Sequence, residues 1–144
     1  MNGAVEAWES LFRAQVGIMR RLGEDFPMGG LTMNEYDVMF TLSRQADRKA
    51  KLRDLNRLVL LSQPSVSRLI DKLSAEGFVT KEADPDDRRG MIITLTEEGF
   101  SAYRPVARAH MRTIESIIGG ALSPAEIESM FALTEKLRCP EFDD

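Results

Sequence analysis

The chain has 144 residues, 43% hydrophobic and 29% charged, with a net charge of -4, the proportions of one ordinary soluble globular domain with a modest core. No run approaches the roughly 18 apolar residues of a membrane span, and no cationic patch followed by an apolar block opens the chain, so neither a membrane location nor a secretory leader is expected. One cysteine, Cys139, and one histidine, His110, exclude a disulfide framework and a multi-thiolate metal site, which makes the cytoplasm the expected location.

In chain order, Val5, Trp8, Leu11, Phe12, Gln15, Ile18, Met19 and Leu22 recur at helical spacing and predict a first helix, ended by Pro27 and Gly29-Gly30. Thr32 and Glu35 form a capping box for a second helix that runs to about Gln45, with Leu31 and Tyr36 as its hydrophobic staple. A polar connector over Ala46–Ala50 leads to a third helix whose buried side is Leu52, Leu55 and Val59. The fourth helix is expected to start near Ser62 or Gln63, with Pro64 in its first turn, where a missing N–H costs little. Val66, Leu69, Ile70 and Leu73 form its apolar face, and Gly77 suits a left-handed C-cap.

Phe78–Glu82 and Met91–Leu95 are strand-like and joined by a charged, turn-rich segment. Thr96 caps the next helix, with Glu97 and Glu98 at the positive end of its dipole. Phe100, Tyr103, Ala107, His110, Ile114 and Ile117 repeat at alternating three and four residues, the pattern of a seam for another helix. Pro105 is expected to kink it and Gly119-Gly120 to stop it. Ser123, Pro124 and Glu126 begin a last helix lined by Ile127, Met130, Phe131 and Leu137.

The order helix, helix, helix, helix, strand, strand, helix, helix is mainly α with a small β-hairpin wing. It reads as a winged helix-turn-helix within a single domain spanning 1–144: a DNA-binding lobe over residues 31–95, flanked by dimerisation helices in 1–30 and 96–144. The end helices are too apolar and too extended to stand alone, and a two-fold homodimer would cover them.

The outer face of the fourth helix is short and polar, so its backbone can approach base edges in a major groove. Gln63 can pair with adenine, and Arg68 can bond guanine or a phosphate. Ser65 and Ser67 suit phosphates or base edges, and Lys72 lies on the flank. Arg88 and Arg89 sit among Asp84, Asp86 and Asp87 in the hairpin. An arginine there gains from the potential of a narrow minor groove, and a split is expected in which Asp87 holds one arginine and the other faces DNA. The segment from Lys51 to Gly90 carries eight basic and seven acidic residues, leaving -5 for the remainder, so the bias toward DNA is mild. Polar residues also cover the outer face of any solvated helix. A near-neutral wing fits a winged-helix protein-interaction module without DNA binding as the alternative.

No catalytic constellation assembles: His110 and Cys139 lack a third orienting group. Asp84, Asp86 and Asp87 lack the placed glycine and closing glutamate of a calcium loop, and no glycine-rich phosphate loop exists. Neither a cofactor nor a metal is expected. His110 is expected as a hydrogen-bonded interface residue, and Trp8 and Phe12 as core rather than ligand-pocket walls.

Across essentially its whole length the chain resembles the MarR family of winged helix-turn-helix regulators. The resemblance rests on Leu61-Ser-Gln-Pro-Ser-Val-Ser-Arg68, on Leu73 with Glu76-Gly77-Phe78-Val79, and on Asp84-Pro-Asp-Asp-Arg-Arg89 running into Ile93-Thr-Leu-Thr96 and Gly99. It implies an obligate homodimer through the terminal helices and binding of double-stranded DNA at near-palindromic operators, usually in repression. It also implies a major-groove helix within Ser62–Lys72, Arg89 as the minor-groove arginine, and release by a small aromatic effector between dimer helices and DNA lobe or by cysteine oxidation. Two departures stand out. Leu60 occupies a turn position where members often carry glycine, at a strain of roughly 1–2 kcal/mol if left-handed, so a wider turn is expected. The N-terminal stretch holds no cysteine, which removes the usual oxidation sensor.

Overall fold

Among the residues described by the computed structural model, 3–60 and 65–138, six α-helices and three strands follow in chain order. They are α1 (Ala4–Gly23), α2 (Met33–Ser43), β1 (Lys49–Lys51), α3 (Leu52–Leu58), α4 (Val66–Ala75), β2 (Val79–Asp84), β3 (Asp87–Leu95), α5 (Glu97–Ala121) and α6 (Pro124–Leu137). Mainly helical with a small antiparallel sheet, this is the winged helix-turn-helix that the sequence predicts.

Local sequence sets most boundaries. At α2, the Thr32 hydroxyl accepts the Glu35 N–H at 3.1 Å and the Glu35 carboxylate accepts the Thr32 N–H at 3.2 Å. Ser123 and Glu126 repeat this reciprocal cap at α6. Gly77 ends α4 at φ +80, with the Phe78 N–H returning to the Leu73 carbonyl. Thr96 caps α5, and Gly99 packs so closely on the Phe78 carbonyl that an added Cβ would lie 2.1 Å from that oxygen. Only glycine allows the wing and α5 to meet there.

The sheet order is β1-β3-β2, all antiparallel. The sequence predicts a connector where β1 forms. Its three residues pair Lys49 with Thr94 and Lys51 with Ile92 after a turn in which Asp47 and Arg48 are left-handed, and so short a polar strand carries no alternation to detect. The wing strands run further than their apolar residues indicate. Ala83 pairs with Met91 and Asp84 with Asp87, so Arg88, Arg89 and Gly90 form a bulge on β3 rather than a loop.

The core lies under α4 and the sheet. Leu31, Val38, Met39, Leu42, Leu55, Ile70, Leu73 and Ile93 are at most 1% exposed, and Tyr103, Val106 and Ala107 of α5 join them. The repeat on α5 forms a seam for another helix, and that helix is α2 of the same chain: Tyr103 stacks on Tyr36 at 5.4 Å, Tyr103 and Ala107 belong to the core and Phe100 packs on it. α5 also runs unbroken through Pro105 and past Gly119-Gly120 to Ala121. The terminal helices differ. Leu22 is the one buried residue of α1 and α6 has none, while Trp8 (61% exposed) and Phe131 (64%) face solvent. Trp8 and Phe12 pack on each other, with ring centroids 5.6 Å apart, outside the core expected for them.

Candidate nucleic-acid interface

The fourth helix starts later than its sequence suggests. Ser65 is the N-cap, with extended backbone, and its hydroxyl accepts the Arg68 N–H at 3.2 Å, so α4 begins at Val66. A serine cap offers an orphan N–H the acceptor that the expected proline start does not. Gln63 and Pro64 lie outside the described residues. The later start gathers Ser65, Ser67 and Arg68 into the first turn, the part of a recognition helix that reaches base edges. Val66, Ile70 and Leu73 are buried beneath it, and Ser67, Arg68, Asp71 and Lys72 are exposed on its outer face.

Lys72 is tied back to the lobe. Its ammonium donates to the fully buried Glu35 carboxylate at 3.0 Å. That bond, with the carboxylate's charge, raises the lysine pKa. Glu35 thus caps α2 and anchors α4, a role that its capping position alone does not reveal. The partners are 37 residues apart in sequence.

In the wing, Asp84 is buried. Its carboxylate accepts the Asp86 N–H at 2.9 Å and lies 3.4 Å from the Lys51 ammonium. The backbone bond first, and the lysine after it, hold this carboxyl below its ordinary pKa. Asp87 accepts the Arg89 backbone N–H at 3.0 Å. Neither the Arg88 nor the Arg89 guanidinium is ion-paired among the described residues, so the expected split, with Asp87 holding one side chain, is replaced by a backbone contact that leaves both cations exposed. Arg68 is likewise unpaired among them. By contrast Arg57, Lys81 and Arg48 are neutralised by Asp54, Asp71 and Glu97. Arg68 in the first turn of α4 and Arg88 and Arg89 in the bulge of β3 are thus exposed cations without an ion pair among the described residues, as are Arg44 at the end of α2 and Lys49 on β1.

Leu60, before α4, is not left-handed, since the only non-glycine residues at positive φ among those described are Asp47 and Arg48. Instead the Asp37 carboxylate accepts the Leu60 N–H at 3.3 Å and holds the turn against α2. A cavity of about 510 Å³ lies beside it, between α1, α2 and α5, within the usual range for small-molecule sites. His110 lines it, packed edge-on against Tyr36 at 4.9 Å and Phe26 at 5.5 Å. Burial lowers the His110 pKa, opposed by the charge of Asp25, and its Nδ1 is buried without a partner among the described residues. Burial, with Tyr103 beside it, pushes the Tyr36 hydroxyl well above the usual tyrosine range.

A model of the MarR family matches residues 29–90, which span α2, the recognition turn and the wing to its bulge. The chain belongs to the MarR family. It is 28% identical over 136 residues to the HTH-type transcriptional regulator YkoM of Bacillus subtilis, covering 92% of this chain and 86% of that one. Its fold is similar to AbsC, a MarR family regulator of Streptomyces coelicolor (TM-score 0.79, 24% identity, 95% and 93% of the two chains), and to BpsR of Bordetella bronchiseptica (TM-score 0.76, 25% identity, 92% and 98%). As a MarR family member the protein is a DNA-binding transcriptional regulator, and its relatives are regulators rather than enzymes. No helix among the described residues is long and apolar enough to cross a membrane.

Proposed function

We propose that the protein is a homodimeric, cytoplasmic repressor that binds a near-palindromic operator and leaves it when a small aromatic effector occupies the cavity behind the recognition turn. The observation that carries this reading is the placement of Arg68, Arg88 and Arg89. These cations hold no partner among the described residues, so they meet phosphates and base edges without first breaking an ion pair. Ser65, Ser67 and Gln63 act with Arg68 in the major groove, Arg89 enters the minor groove, and Lys72 fixes α4 on α2 while keeping two further donors.

The exposed apolar faces of α1 and α6 support a homodimer, because the same patch on two copies meets itself about a two-fold axis. Two recognition helices about 34–36 Å apart then reach successive major grooves. A ligand that favours another spacing shifts the population off DNA. A solved structure of BpsR describes regulation of its DNA binding by 6-hydroxynicotinic acid, which supports an effector of this general size.

Selection of duplexes from a random pool on the purified protein, followed by anisotropy titrations at several salt concentrations, tests the reading. Arg89→Ala should weaken every duplex by a similar factor and reduce the salt slope by about one. Arg68→Ala should cost about 1–3 kcal/mol of discrimination at one base step, or behave like Arg89→Ala if Arg68 grips phosphate alone. An unchanged salt slope in Arg89→Ala contradicts the minor-groove assignment.

A further inference from the structure

We propose that Glu35 cancels the charge of Lys72 at the outer face of α4 and thereby holds down the sequence-independent part of DNA binding. The inference rests on the reading of α4 as the DNA-facing helix, and it adds a buried residue of α2 to those that set affinity.

Glu35 is fully buried in the first turn of α2, so it acts on a duplex only through another residue. Its Oε1 accepts both the Thr32 N–H at 3.2 Å and the Lys72 ammonium at 3.0 Å, and its Oε2 is buried without a hydrogen-bond partner among the described residues. Among those residues Lys72 is the one cation paired with this carboxylate. Drawing the ammonium away would leave a buried charge uncompensated, which is strongly unfavourable. The neighbouring pair of α4 differs. Lys81 meets Asp71, whose side chain is 66% exposed, so water replaces that lysine at little cost. The Lys72 side chain is itself half exposed on the outer face, one turn beyond Arg68, yet its partner lies inside.

A cation contributes to sequence-independent binding by neutralising a phosphate and releasing its counterion. What counts is the net charge brought to the duplex. Lys72 and Glu35 together bring none. The two remaining donors of the ammonium can still bond a phosphate, but that bond adds no net charge. Glu76, four residues further along α4, acts weakly in the same direction. One cancelled charge weighs heavily here, because Lys51–Gly90 holds eight basic residues against seven acidic ones. Glu35→Gln isolates the effect. It keeps an acceptor for the Thr32 N–H, since a capping box takes either side chain, and removes only the charge.

Anisotropy titrations with a duplex of arbitrary sequence at neutral pH test this on the unsubstituted protein, Glu35→Gln, and Glu35→Gln combined with Lys72→Met. Glu35→Gln should bind more tightly at low salt. Between about 50 and 200 mM salt it should lose about threefold more affinity than the unsubstituted protein, the loss that one further phosphate contact implies. A purely structural role for Glu35 would weaken binding instead, so weaker binding or an unchanged salt dependence overturns the proposal. The double variant carries the same net charge as the native pair and should match the salt dependence of the unsubstituted protein. A dependence that stays steep removes Lys72 as the cancelled cation. A dependence shallower than that of the unsubstituted protein shows that Lys72 acted as a free cation, and it overturns the proposal even if Glu35→Gln alone fails to fold. If the unsubstituted protein binds no duplex, this inference and the DNA-binding reading fall together, whereas duplex binding with an unaltered salt dependence in Glu35→Gln ends this inference alone.

Discussion

The DNA-binding lobe and the terminal helices are built from similar fractions of apolar residues at similar helical spacing, yet they bury them differently. In the lobe, Leu55, Ile70, Leu73 and Ile93 are removed from water by their own chain. In α1 and α6, Val5, Trp8, Phe131, Leu133 and Leu137 remain exposed. The periodicity of a helix states which side is apolar. Where the element sits decides whether its own chain covers that side, and α5 divides accordingly: its first half is core and its second half carries the exposed Met111.

Truncating matched side chains in the two regions breaks this comparison most sharply. Leu55→Ala should cost roughly 2–5 kcal/mol in urea unfolding, from lost burial and a cavity at a fully enclosed position. Phe131→Ala should change single-chain stability by less than about 0.5 kcal/mol while weakening self-association in a dilution series. Equal costs in both would show that the terminal helices are buried within one chain after all.

The two capping boxes sharpen it further. Thr32→Ala removes the cap of a helix packed in the core and should lower global stability by about 1 kcal/mol. Ser123→Ala breaks the same geometry on an exposed helix and should fray α6, visible as faster amide exchange there, while the lobe keeps its unfolding midpoint.

The smallest expected effect concerns pH. Burial lowers the His110 pKa from its ordinary 6.5, so the unfolded chain binds this proton first as pH falls. The contribution is complete above 6.5 and declines as pH drops toward the lowered folded value. Asp25, bonded to Thr113 at 3.1 Å, offsets part of it. Comparing unfolding midpoints of the unsubstituted protein and His110→Gln between neutral and mildly acidic pH isolates this term. The variant should lose less stability on acidification, and parallel profiles contradict the burial of His110.

Much of the fold was legible because its signals are local. The Thr32 and Ser123 caps, the Gly77 stop and the apolar face of α4 each lie within a few residues and appear where the sequence places them. What was missed depends on distant partners. β1 exists because Lys49–Lys51 finds an open edge of β3, and Lys72 bends to Glu35 because folding brings α2 beside α4. The spacing of α5 shows that His110 is on a packed side and not that Phe26 and Tyr36 are what it meets, because both come from distant segments. The arginines of the wing were legible as residue types. Their freedom from ion pairs among the described residues follows from the bulge and from Asp87 spending its carboxylate on a backbone N–H.

The central claim is that two copies of this chain present α4 and the β3 bulge together to one duplex. Sedimentation of the purified protein with a duplex enriched from the random pool measures this directly. The account predicts a complex of two chains per duplex that dissociates as salt rises. A complex holding one chain, or no complex even in dilute buffer, contradicts it.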